Sequence, residues 1–146
     1  MKYGGTESYI YYLCKKYKDK DIVVYYHDGD PKQLARLSKI VPVRKYNGEQ
    51  IECENAFFNY HYDIIDNVTA KNYIQVLHTD YTKQNVTFIP HPKMTKYLGV
   101  SKAVAENFTK MTGLPCEVAY NPIDVDKPRK VLKLVSMSRL SPEKRI

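Results

Sequence analysis

The chain has 146 residues, 43% hydrophobic and 27% charged, close to ordinary usage for a folded domain. That composition excludes disorder, collagen and low-complexity sequence, and the length suits one ordinary domain rather than two. With a mean hydropathy of −0.52 and apolar runs of only a few residues, neither a transmembrane helix nor a secretory leader is predicted.

The net charge of +7 is unevenly placed. Residues 127–146 hold seven basic residues against the single acid Glu143, a net +6; residues 1–126 carry 16 basic and 15 acidic, a net +1. A nucleic-acid binder spreads such charge along one face with base-stacking groups among it, and the 14 tyrosines follow no such motif. No nucleic-acid partner is expected. Cys14, Cys53 and Cys116 are an odd number without a CxxC pair, which reads as a reduced, intracellular chain. Asn67, Asn85 and Asn107 each open an N-x-T triplet, and without a leader these are chance matches.

In chain order, Gly4-Gly5 form a turn and Thr6 caps a helix over Glu7–Tyr17, whose Ile10, Leu13, Cys14 and Tyr17 recur at helical spacing. The run 22–26 (IVVYY) is a buried strand. Asp30-Pro31-Lys32-Gln33 opens a second helix, with Asp30 as its cap, Pro31 at the first helical position and Leu34, Leu37 and Val41 as its stripe. From Val43 to Asn59 the pattern is weak, and one or two strands are expected. Strands follow at 73–77 and 97–100, then a helix begins at Ser101, with Val104, Phe108 and Met111 buried and Gly113 and Pro115 as its stop. Two more strands are predicted at 116–120 and 131–137. Alternating strands and helices predict an α/β fold with a doubly wound, Rossmann-like parallel sheet, in which ligands sit beyond the carboxyl ends of strands. His78, Ser101, Asn121 and Ser138-Arg139 lie at those ends. Both termini read as cut from a longer protein: only three residues precede Gly4, and the chain stops where a helix should begin.

Several groups could carry chemistry. Gly4-Gly5 at a helix start would let backbone N–H groups approach a phosphate or sugar, although two glycines alone read more readily as a plain turn. Asp28 and Asp30 form an Asp-x-Asp pair of the kind that holds a divalent cation, but Asp30 already serves as a cap. His78, directly after a strand, suits a hydrogen bond to a substrate hydroxyl or phosphate, or a structural role. His61 and His91 lack such a setting. Arg139 and Lys144, five residues apart across a strand-to-helix turn, could grip a diphosphate or form a solvated loop.

Together and in this order, GGTESYIYYL, YIQVLHTDY, YLGVSKAVAENF, VAYNPID and KLVSMSRLSPEK resemble a retaining glycosyltransferase of the GT-B fold, family 4. The resemblance implies an acceptor-side Rossmann-like domain over residues 1–126. Residues 127–146 would be the linker and first strand of a donor-binding domain that is otherwise missing, with its acidic E-x7-E motif. It also implies transfer of a sugar from a nucleotide-sugar to a glycan or lipid-linked acceptor, with no metal and no other cofactor. By the same resemblance His78 lies beside the transferred sugar as the catalytic residue, and Gly5, Arg139 and Lys144 bind the donor diphosphate. Gly4, Gly5 and Ser101 face the acceptor. The expected setting is cytoplasmic polysaccharide synthesis with peripheral contact at the inner membrane face, and the 146-residue chain alone is expected to be inactive. The alternative from the residues is a non-catalytic α/β binding or scaffold domain.

Overall fold

The structure, a computed structural model, describes residues 5–59, 63–84 and 88–122. It is α/β with parallel sheets. The first helix, α1, spans Gly5–Lys16. A short strand β1 (Val24–Tyr26), helix α2 (Pro31–Leu37) and strand β2 (Val43–Lys45) follow, and β1 and β2 pair in parallel across the α2 crossover. A second sheet of four strands, β3 (Ile51–Phe58), β4 (Val68–Leu77), β5 (Lys96–Gly99) and β6 (Glu117–Val118), runs parallel in sequence order. Helix α3 (Lys102–Thr112) connects β5 to β6.

The strands thus divide between two parallel sheets, where one sheet was expected. The reason lies in the link between β2 and β3. Only residues 46–50 separate them, a shorter link than residues 59–67 between the parallel β3 and β4 and well short of the usual parallel crossover of roughly a dozen residues. β3 therefore starts a new sheet. Polar contacts join the two parts: His27, after β1, lies 3.4 Å from Asp63 and edge-on to Tyr46. The Tyr46 hydroxyl accepts from Asn67, whose own Oδ1 accepts from Gln50 at 3.2 Å.

Each part has its own apolar core. Cys14, Leu37 and Val41 are buried among Ile10, Ile22, Val24 and Val43, which closes α1 and α2 onto β1 and β2. Leu77, Tyr97, Val104 and Phe108 close α3 onto the second sheet, and burying such a side chain contributes about 1.5–3 kcal/mol. Gly99 permits the close fit: a Cβ there would meet the Ala105 backbone nitrogen at 2.8 Å. Phe58, Ile65 and Val68 form a third cluster where β3 crosses to β4.

Local expectations hold in part: Met111, expected to be buried, is 37% exposed, and the run 22–26, expected to be a buried strand, is strand over Val24–Tyr26 alone and only half-buried. Asp30 caps α2, its Oδ1 accepting from the backbone of Lys32 and Gln33, and Gly113 stops α3 at φ 74°. Thr6 is not a cap. It lies buried inside the first turn of a helix that starts at Gly5, a small extension because the first N–H groups of a helix lack intrahelical partners anyway. β4 begins five residues before the predicted 73, and only Glu117–Val118 of the predicted 116–120 is strand. The strand expected at 131–137, the domain boundary at 126 and the connector 127–146 lie outside the described residues.

Candidate functional site

β4, β5 and β6 point the same way, so their carboxyl ends share one edge of the sheet. Leu77, Gly99 and Val118 stand in register there. The ladder continues one residue further, with Val100 donating to Leu77 O and Ala119 to Gly99 O. His78 directly follows this edge, Ser101 lies two residues beyond Gly99, and Asn121 lies three beyond Val118. α1 reaches the same edge, because Tyr9 meets the His78 ring edge-on at 5.0 Å between centroids. Gly5 opens that helix one turn before Tyr9, exposed, with nothing within 4 Å of where a Cβ would stand.

His78 is half-buried. Its Nε2 lies 3.0 Å from Asn59 Oδ1, just beyond β3. An amide oxygen only accepts, so Nε2 carries the proton and donates. Burial lowers the imidazole pKa below its ordinary value, and the negative charge of Glu7 opposes that only in part. At neutral pH the ring is a neutral, oriented Nε2–H tautomer. Tyr9, 4% exposed, has its phenol pushed up by burial and by Tyr17. It packs as a neutral wall. Sequence reasoning missed both Asn59 and Tyr9: Asn59 follows a strand with no apolar rhythm, and Tyr9 is one of many tyrosines.

The neighbouring groups serve structure. Ser101 Oγ accepts from Val104 N at 3.3 Å and caps α3. Asp80 caps the short turn Tyr81–Lys83 through Thr82, and its Oδ2 accepts from Asn107 of α3 at 2.8 Å. These bonds hold its carboxyl below the usual range. The amides of Asn67 and Asn107 are thus both in use. His91 Nδ1 accepts from the Lys93 backbone. Asp28 binds the Gly29 N–H while Asp30 caps α2. Among the described residues, no three His, Cys, Asp or Glu side chains are grouped to hold a metal ion. Gly4, His61, Arg139 and Lys144 lie outside the described residues, so of the proposed site only Gly5, His78 and Ser101 are described. No protein family, curated protein or solved structure matches the chain.

Proposed function

We propose that the chain is the acceptor-side part of a retaining GT-B glycosyltransferase, with a doubly wound N-terminal domain, acting on a nucleotide-sugar and a glycan or lipid-linked acceptor. The observation that carries this is His78: a neutral, half-buried imidazole at the carboxyl edge of a parallel sheet, oriented by Asn59 and walled by Tyr9. In such a transfer the C1–O bond to the diphosphate breaks and the acceptor hydroxyl oxygen bonds C1 on the same face. The hydroxyl proton passes to the departing phosphate. A fixed neutral imidazole hydrogen-bonds the sugar as charge develops, without the repulsion an imidazolium would bring. Gly5 borders donor and acceptor, Gly4 and Ser101 lie on the acceptor side, and Arg139 and Lys144 neutralise the diphosphate. No membrane-crossing helix occurs among the described residues, which is compatible with work at a membrane face.

The test is transfer from a panel of nucleotide-sugars by a protein that continues beyond Ile146 through a donor domain. His78→Ala should lower transfer at least about 10²-fold, and the 146-residue chain alone should turn over nothing. Near-normal transfer with His78→Ala would remove the histidine from the chemistry. Robust transfer by the short chain would place donor recognition within it. Absence of any transfer, with ligand binding retained, would favour the scaffold alternative.

A further inference from the structure

The link between the two sheets, residues 46–50, carries a reactive pair. Of the eight asparagines in the chain, Asn47 alone precedes a glycine; the others precede Ala, Val, Phe, Tyr or Pro. Asparagine is thermolabile because the backbone nitrogen of the next residue can attack its side-chain amide carbon. A side chain on that next residue obstructs the attack, and glycine has none. Asn47 and Gly48 are both exposed. Gly48 sits at φ 90°, with nothing within 4 Å of where a Cβ would stand. Its N–H forms no hydrogen bond among the described residues. Asn47 donates its own N–H to Glu49 Oε2 at 2.7 Å and its Nδ2 to Lys45 O at 3.1 Å. Neither bond ties down the Gly48 nitrogen. Asp28-Gly29 shows the contrast. There the glycine N–H is bound to Asp28 Oδ1 at 2.8 Å, and a Cβ on Gly29 would meet Leu34 at 3.2 Å.

We propose that Asn47 is a site of spontaneous deamidation, at which the Gly48 nitrogen closes a cyclic imide on the Asn47 side chain and water reopens it. The bond from Gly48 N to Asn47 Cγ forms and the Cγ–Nδ2 bond breaks. The side-chain nitrogen leaves as ammonia, taking the proton lost from Gly48 N. Water then adds to one of the two imide carbonyls, and nothing is oxidised or reduced. Opening at Cγ leaves aspartate; opening at the main-chain carbonyl leaves an isoaspartyl linkage that runs through the side-chain carbon. Either product puts a new carboxylate beside Glu49, whose own carboxyl is held below its ordinary range by the Asn47 N–H. Two negative charges then share the turn, and the bond to Lys45 O is lost with the amide nitrogen. The isoaspartyl form also lengthens a link whose ends, Tyr46 and Gln50, both bond Asn67. The change therefore falls on the connection between the two sheets. It does not depend on the glycosyltransferase reading.

The test incubates the full chain in warm, mildly alkaline buffer and follows each asparagine by peptide mass spectrometry. An isoaspartyl O-methyltransferase with a labelled methyl donor counts the isoaspartyl product, and a synthetic peptide of residues 44–52 is the unhindered reference. Asn47 should convert first among the asparagines, with a gain of about one mass unit and one negative charge per chain. Its rate in the folded chain should lie within about threefold of the peptide, as for an exposed loop that opens at little cost. Asn47→Gln should abolish the methyl signal, because the longer side chain has to close a larger ring. Slower conversion in the folded chain than that threefold margin would overturn the proposal, since the turn would then hold nitrogen and carbon apart. A methyl signal that persists undiminished in Asn47→Gln would overturn it as well, placing the isoaspartyl residue elsewhere. The rate comparison uses the parent chain alone and stands whatever the variant does to folding.

Discussion

His78 and Gln75, three residues apart at the end of β4, meet burial in opposite ways. Burial lowers the His78 pKa, so the folded state binds fewer protons there than the unfolded chain. The stability this contributes is complete above the unfolded value of about 6.5 and is lost as pH falls through the lower folded value. Denaturant melts should show stability declining just below pH 6.5, and His78→Gln should flatten that part of the curve. The depressed carboxyls of Asp66 and Asp80, whose bonding partners are Lys93 and Thr82 with Asn107, act in a more acidic window, below about pH 4. Gln75 is 1% exposed, and its Oε1 has no hydrogen-bond donor among the described residues. Its register partners are Phe58 and Tyr97, aromatic on either side. A buried orphan acceptor costs about 1–3 kcal/mol, so Gln75→Leu should raise the unfolding free energy, measured by urea titration. A loss of stability would mean that the amide does more than fill space.

Among the elements, α2 and α3 are set by their caps. α2 has only seven residues, too few to persist without its first-turn bonds. Asp30→Ala removes an acceptor for two backbone N–H groups and should cost about 1 kcal/mol. Ser101→Ala at α3 should cost about 0.5–2 kcal/mol. If the Asp-x-Asp pair held a metal, Asp30→Ala would instead abolish a metal-dependent rise in melting temperature. The Asp30 cap was legible because it acts within three residues. β3 and the first half of β4 were not legible as apolar rhythm. Their polar residues are satisfied across the sheet, Asn72 donating to Asn55 at 2.9 Å and Lys71 lying 4.0 Å from Glu54. Cross-strand pairs of this kind stabilise strands that periodicity overlooks.

At the scale of the whole molecule, the proposed reaction needs cations at the donor diphosphate, a role the proposal gives to Arg139 and Lys144. A departing nucleotide gathers charge on its terminal phosphate, and fixed cations stabilise that state more than bound substrate. In a protein that continues through a donor domain, as the proposal requires, Arg139→Ala and Lys144→Ala should each lower kcat about 10²–10³-fold with a smaller change in donor affinity. Lys130→Ala, in the connector, should do little. Equal and slight effects from all three would reduce 127–146 to a solvated basic segment.

The alternation of strands and helices, the cap at Asp30, the helix start at Ser101, the stop at Gly113 and the position of His78 after a strand were all readable from the chain. Each depends on neighbours within a few residues, where propensity and hydrogen bonding act directly. Three things were decided only in three dimensions. The strands separated into two sheets, because the five-residue link after β2 is well short of the usual parallel crossover. Asn59 and Tyr9 came to hold His78, from 19 residues before it in one case and from the first helix in the other. Among the described residues β6 is the outer strand of its sheet, which leaves Val118 and Tyr120 exposed. Contacts between residues distant in sequence leave no local pattern, so parallel pairing and ring packing have to be seen rather than read.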